Sequence, residues 1–188
     1  MPAGDDDLVA WWSPDPRGVL ELDDLRISRS LRRSCPKFRV TVDRAFDQVI
    51  LGCARAPRPG GWISSAIVSA YNQLHRLGWA HSVETWDGDE LVGGMYGVQV
   101  GGFFAGESMF QKTTDASKVA LVGLVQCLKQ VEASLFDVQW KTDHLATLGV
   151  RTITRSQYVA RLGEAIASPT ESLSVFAAEN SVLGPATA

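Results

Sequence analysis

The run HSVETWDGDELVGGMYGVQVGGFFAGESMF, His81 to Phe110, holds three strands in succession. His81–Trp86 reads as the first. Asp87-Gly88 then makes a hairpin turn, because glycine adopts the positive φ that a tight connection requires. The chain returns as Glu90–Val98, turns again at Gly101-Gly102 and continues as a strand to Phe110. Strands linked this closely pair with their neighbours, so the run predicts an antiparallel meander.

Beyond the meander, Asp115 to Val131 predicts a long helix. It is apolar on most sides (Val119, Leu121, Val122, Leu124, Val125, Leu128), which predicts burial. Leu135–Trp140 reads as a short strand. Thr142–Leu148 and Ser156–Ala165 read as helices, the first ended by Gly149. From Ser168 onward Ser, Ala and Pro dominate without a period, and a poorly ordered tail is expected. Before the meander, Ser64 or Ser65 caps a helix whose apolar positions are Ile67, Tyr71, Leu74 and Leu77, with Gly78 at its end. Arg55–Gly61 is a Pro- and Gly-rich loop, and Asp43 stands where it can cap a helix from Arg44 to Ala54. Phe38–Val42 alternates as a strand does, and Arg29–Arg33 forms a short helix. Two prolines make Trp11–Arg17 extended or turn structure, with two aromatics to bury. Strand, helix, helix, meander, long helix, strand and helix together predict an α/β or α+β domain with a mixed sheet.

The 188 residues are 45% hydrophobic and 21% charged, which suits one ordinary domain, or one with a small appendage. Met1–Val9 is acidic and has no apolar core, so it does not read as a secretory signal. No apolar run is long enough to span a membrane. Cys35, Cys53 and Cys127 are odd in number and widely spaced. They suggest neither a disulfide framework nor a zinc site and fit a reducing cytosol, so a cytoplasmic protein is expected. His75, His81 and His144 are scattered and read as surface or hydrogen-bonded histidines.

The net charge of −3 does not announce a nucleic-acid binder, but the charge is unevenly spread. No acidic residue lies between Asp24 and Asp43, whereas Arg26, Arg29, Arg32, Arg33, Lys37 and Arg39 all do. Such a patch binds a phosphate backbone or forms a solvated face, and charge alone leans to the second. Gly93-Gly94-Met95-Tyr96-Gly97 is glycine-rich but falls inside a strand, which argues against a phosphate loop. Glu107 is an acid among apolar neighbours and needs a partner if buried. With period two, Asp137 and Gln139 share a strand face, making either a small polar site or a structural hydrogen bond to a loop. No serine or cysteine stands beside a recognisable base, so covalent acyl catalysis has no support.

Several strings together resemble the leucyl/phenylalanyl-tRNA–protein transferases. They are Trp11-Trp12-Ser13-Pro14-Asp15-Pro16-Arg17, Ile27-Ser28-Arg29-Ser30, His81-Ser82-Val83-Glu84, Glu90 through Gly97, Gly106-Glu107-Ser108-Met109-Phe110, Ala116-Ser117-Lys118, and Asp143 through Gly149. They keep the family's order and span roughly Trp11 to Leu162. The resemblance implies a main domain like the GNAT acyltransferases and transfer of Leu, Phe or sometimes Met from tRNA. The acceptor it implies is a protein beginning with Arg or Lys, which is thereby marked for N-end degradation. It implies no metal or small cofactor, and a monomer is expected. By position, Asp137 and Gln139 match the catalytic pair, and Glu107 matches the acid near the reacting amine. Met95, Phe104, Leu121, Leu124, Leu128 and Phe136 match the side-chain pocket. Trp62 matches an aromatic at the tRNA end, and Arg29, Arg32, Arg33, Lys37 and Arg39 match the tRNA-binding cluster. An Asp at such a site is expected to accept from the amine and guide its proton; Gln139, far too weak a base, is expected to orient.

Two features depart from the family. A segment with Asn-Gly-Leu-Leu and Gly-Gly-Asp, ending in Pro-Trp-Phe, usually precedes the Trp-Trp-Ser-Pro string, and here only Met1–Ala10 does. The expected layout is therefore a remnant N-terminal subdomain with the basic segment (1–34), a GNAT-like catalytic domain (35–167) and the loose tail (168–188). Leu124 and Leu128 stand where some relatives carry Phe, which alters the pocket's shape. Two rivals remain: a non-catalytic or impaired tRNA-binding relative, and an acetyl-CoA-dependent acyltransferase. The second is disfavoured because Gln111-Lys112-Thr113-Thr114-Asp115 lacks the glycines that wrap a pyrophosphate.

Overall fold

The computed structural model describes residues 12–56 and 61–183. Trp11, Met1–Val9, part of the Arg55–Gly61 loop and the last residues of the tail lie outside the described residues. The strands are β1 (Arg17–Leu20), β2 (Arg39–Val42), β3 (Ala80–Asp87), β4 (Glu90–Val100), β5 (Phe103–Gln111), β6 (Leu135–Gln139) and β7 (Arg151–Ile153). The helices are α1 (Arg29–Ser34), α2 (Phe46–Arg55), α3 (Ser65–Arg76), α4 (Ala116–Gln130), α5 (Asp143–Thr147) and α6 (Arg155–Ala167). One mixed sheet runs β2-β3-β4-β5-β6-β1-β7. Among the described residues only β5 and β6 pair in parallel, and α4 is the crossover such a pair requires.

The meander His81–Phe110 is the centre of this sheet, with Gly88 at φ 57 in its first turn and Gly101 at φ 55 in its second. Helix α4 lies on one face and buries Val119, Leu121, Val122, Leu124 and Leu128 against Met95, Phe104 and Phe136. Helices α2 and α3 bring a second cluster, Phe46, Val49, Ile50, Tyr71 and Leu74, around Tyr96. Met95 and Tyr96 are adjacent in sequence and belong to opposite clusters, as strand alternation requires. Helix α6 sets Tyr158 and Ala165 against Val19 of β1 and Leu135 of β6.

Several expectations are corrected. Asp43 caps no helix: it adopts φ 56, accepts from Ser82 N at 2.9 Å and meets His81 Nδ1 at 2.7 Å. Helix α2 therefore begins at Phe46 without a side-chain cap. Leu77 ends α3 exposed, and Trp12 is 68% exposed rather than buried. The tail is packed as far as Leu183: Leu173, Phe176 and Val182 are buried, and Val182 N donates to Val40 O at 2.8 Å. Gln99 fixes it further, accepting from Leu173 N and donating to Glu171 O, both at 2.9 Å. Such single contacts leave no period to read. Nor do the residues before 35 stand apart, since β1 is built into the sheet between β6 and β7. Among the described residues no helix is long and apolar enough to cross a membrane.

Candidate active site

Two neighbouring strands each carry an irregularity at the same level. In β5, Tyr96 opposes Ser108 while Gly97 opposes Gly106, so Glu107 is an extra residue. Phe104 and Phe110 would share a face in a regular strand, yet Phe104 joins the α4 cluster and Phe110 the α2 cluster. The bulge at Glu107 reverses the alternation and re-aims its side chain. In β6, Gly18 opposes Gln139 and Val19 opposes Asp137, so Val138 is extra, and Gln139 adopts φ 65. The prediction that Asp137 and Gln139 simply share a strand face is thus replaced by a bulge followed by a turn. Parallel pairing of β5 with β6 ends at Ala105 and Asp137, while β5 continues to Gln111. Past that point the two strands part, at the carboxyl end of a parallel pair, where α/β sheets bind ligands.

Polar groups line this opening. Gln139 Nε2 donates to Glu107 Oε2 at 3.3 Å and to Gly106 O at 3.4 Å. The Tyr71 hydroxyl of α3 hydrogen-bonds Glu107. Burial pushes the Glu107 carboxyl above the usual carboxylate range; the bonds from Gln139 and Tyr71 oppose this, and the neighbouring Asp137 charge adds to it. Burial likewise raises the Tyr71 phenol, with Glu107 beside it.

Asp137 is different in kind. It is 0% exposed, whereas Glu107 and Gln139 keep part of their surface open. Its Oδ1 accepts from Arg17 Nε at 3.0 Å and from Gln139 N at 2.7 Å. Its Oδ2 accepts from Arg17 Nη2 and from the Tyr158 hydroxyl, both at 2.7 Å. The Arg17 guanidinium also lies 4.8 Å from the Tyr158 ring centroid. Burial and the bond to Asp137 raise the Tyr158 phenol. Both oxygens of this acid, expected above to accept from an amine, are thus engaged by donors of the chain itself.

The six apolar positions Met95, Phe104, Leu121, Leu124, Leu128 and Phe136 come together in one cluster on the α4 side, each at most 3% exposed. Phe104 and Phe136 meet edge to face with centroids 5.8 Å apart. Gly106 joins this cluster to the polar rim: a Cβ there would stand 3.2 Å from the Phe136 ring and 3.7 Å from Met95 Cε. Trp62 is half-buried just ahead of α3, whose N-cap is Ser64. Arg29, Arg32 and Arg33 share the exposed face of α1 opposite buried Leu31, and Lys37 follows in the next turn. Arg39 is diverted: it stacks on Trp86 at 5.2 Å and donates to Gly88 O at 3.4 Å. The string Gly93 to Gly97 lies wholly inside paired β4, which removes the phosphate-loop reading. Among the described residues no group of three or more His, Cys, Asp or Glu side chains is arranged to hold a metal ion.

Comparison with known proteins shows the family. The family model of the leucyl/phenylalanyl-tRNA protein transferases matches residues 19–163. The chain belongs to this family. A transferase of this name from Anaeromyxobacter sp. (strain Fw109-5) is 50% identical over 172 residues, covering 89% of this chain and 73% of the relative. Its counterpart from Pseudoalteromonas atlantica (strain T6c / ATCC BAA-1087) is 48% identical over 165 residues, covering 86% and 70%. Among solved structures, L-PGS from Bacillus licheniformis is a remote likeness, with TM-score 0.41 and 14% identity over 70% of this chain and 50% of that one. Sequence alone points to no polar role for Arg17, Tyr71 or Tyr158. Arg17 ends the Trp-Trp-Ser-Pro string, the one available signal; Tyr71 read only as a helix-face residue.

Proposed function

We propose that this chain moves Leu or Phe, and in some cases Met, from aminoacyl-tRNA to the N-terminal Arg or Lys of an acceptor protein, acting as a monomer and marking the acceptor for degradation. The observation that carries this reading is the meeting of Glu107 and Gln139 where β5 and β6 part, directly above the apolar cluster. The aminoacyl ester is already activated, so the work is positioning and proton handling. The six apolar side chains receive the transferred side chain. Gln139 orients the reacting groups through its amide. Glu107, half-open and with its carboxyl held above the ordinary range, takes the proton of the attacking amine. The new C–N bond forms as the ester C–O bond breaks; the amine loses a proton to Glu107, and the departing ribose hydroxyl gains one. Asp137 anchors the turn that carries Gln139. The Arg29, Arg32, Arg33 and Lys37 face takes the tRNA backbone, and Trp62 stacks at its end.

An acetyl-CoA reaction fits less well. Asp115 stands at the start of α4 with its carboxylate on Ser34 Oγ at 2.9 Å and Lys118 Nζ at 3.1 Å. That negative group occupies the ground a pyrophosphate needs. The test is transfer of labelled Leu or Phe from tRNA to a peptide beginning with Arg. Transfer supports the reading; its absence, with saturable acetyl-CoA binding instead, overturns it.

A further inference from the structure

The Gln139 backbone is held in a conformation it would not choose. A glutamine at φ 65 lies in the left-handed region, which is strained for a residue with a Cβ. One local hydrogen bond, backed by contacts from distant parts of the chain, opposes that strain. The Gln139 N–H donates to Asp137 Oδ1 at 2.7 Å. Asp137 is itself fixed by the Arg17 fork and the Tyr158 hydroxyl. Gly18, next to Arg17, lies flat under the turn: a Cβ there would be 2.8 Å from the Trp140 carbonyl carbon and 2.9 Å from Lys141 N. Strain at a functional group persists only where its surroundings over-determine it, and here they do.

We propose that Arg17 and Tyr158 are positioning residues for the transfer reaction: by gripping Asp137 they hold the Val138–Trp140 turn and so aim the Gln139 amide at Glu107. The inference rests on the reading of Glu107 and Gln139 as the transfer site. Neither Arg17 nor Tyr158 hydrogen-bonds Glu107: the grip passes through Asp137, and the Arg17 charge, which also opposes the rise in the Glu107 carboxyl, makes Tyr158→Phe the cleaner probe of it. The fork matters as well as the charge, because a guanidinium bonds both carboxylate oxygens and an ammonium does not.

The test uses the full chain with Tyr158→Phe, Arg17→Lys and Arg17→Met, each alone and combined with Gln139→Ala. Three quantities are read: the single-turnover transfer rate, the affinity for aminoacyl-tRNA, and hydrogen exchange at the Gln139 amide. Tyr158→Phe is expected to lower the rate about tenfold and Arg17→Met about a hundredfold, with Arg17→Lys between, while tRNA affinity changes by less than about twofold. In the Gln139→Ala background the same substitutions are expected to cost less than about twofold more, because their target is gone. Equal losses in both backgrounds overturn the proposal, as does an unchanged rate in all three single variants. Where Arg17→Met does not fold, Tyr158→Phe, which removes one hydroxyl, carries the test. Amide exchange separates this inference from the reading beneath it. Faster exchange at Gln139 in Tyr158→Phe supports the grip even if the wild-type chain transfers nothing; unchanged exchange overturns it even if the chain is active.

Discussion

Two clusters of buried acid lie at different places in one sheet, and they are built differently. Glu84, on β3 beside β2, is 0% exposed. Four donors close around it: Ser82 Oγ at 2.5 Å, Thr41 Oγ1 at 2.6 Å, Arg44 N at 3.3 Å and Ala45 N at 3.4 Å. Burial nevertheless pushes its carboxyl up to about 7, against the pull of those bonds. Glu107, at the β5–β6 opening, also has a raised carboxyl, but it keeps open surface and shares its neighbourhood with an Arg–Asp pair and the Gln139 amide. A perturbed acid is thus not in itself a site. What separates the two is strand divergence: β2 and β3 stay paired through Glu84, whereas β5 and β6 part at Asp137.

The most severe way to break this contrast is Asp137→Ala. It leaves the Arg17 charge, only 13% exposed, and the Tyr158 hydroxyl without their partner. Loss of about 3–5 kcal/mol of stability is expected, together with a fall in transfer of about 10³-fold or more. Chemical denaturation and a transfer assay check both, and a variant near wild type in either would refute the anchoring role.

Glu84→Gln sharpens the contrast from the other side. Transfer should stay within about twofold of wild type, since Glu84 lies away from the opening. Stability should change with pH. A raised folded-state value contributes stability that is present below the ordinary carboxyl range and is lost as pH rises through about 7. Wild type should therefore lose stability relative to the variant between pH 5 and pH 8 (about 5 to about 8 in a melting series). A gap that stays constant across that window would contradict the burial argument.

The smallest effects are expected at the surface. Alanine at Arg29, Arg32, Arg33 or Lys37 should each lower the salt slope of tRNA binding by about 1 where a phosphate contact is lost, leaving single-turnover rates intact. Alanine at Arg39, engaged with Trp86 and Gly88, should leave the slope unchanged. Equal slopes for all five variants and wild type would return the patch to a solvated face.

The sequence was legible where a period was long enough to read. The meander, α3 and α4 declared themselves through alternation, an Asp-Gly turn and an apolar helix. Strands β1 and β7, of 4 and 3 residues, are too short for alternation to show, and β1 pairs with segments remote in the chain. Family strings pointed to Asp137, Gln139 and Glu107, but their division of labour depends on two bulges that period-two reasoning erases. The partners of Asp137 are equally silent in sequence: Arg17 stands 120 residues away, and Tyr158 lies 21 residues on, in a segment that reads simply as a helix.

The central claim is that Glu107, and not the enclosed Asp137, handles the proton of the acceptor amine. Its most direct test is the single-turnover transfer rate against pH, with saturating aminoacyl-tRNA and an Arg-initiated peptide, for wild type and Glu107→Gln. For wild type the account predicts a rate that rises through an ionisation above the ordinary carboxylate range, followed by the ionisation of the peptide amine. For Glu107→Gln it predicts a rate lower by about 10²-fold that follows the amine alone. A Glu107→Gln variant with the wild-type rate and both ionisations would contradict it.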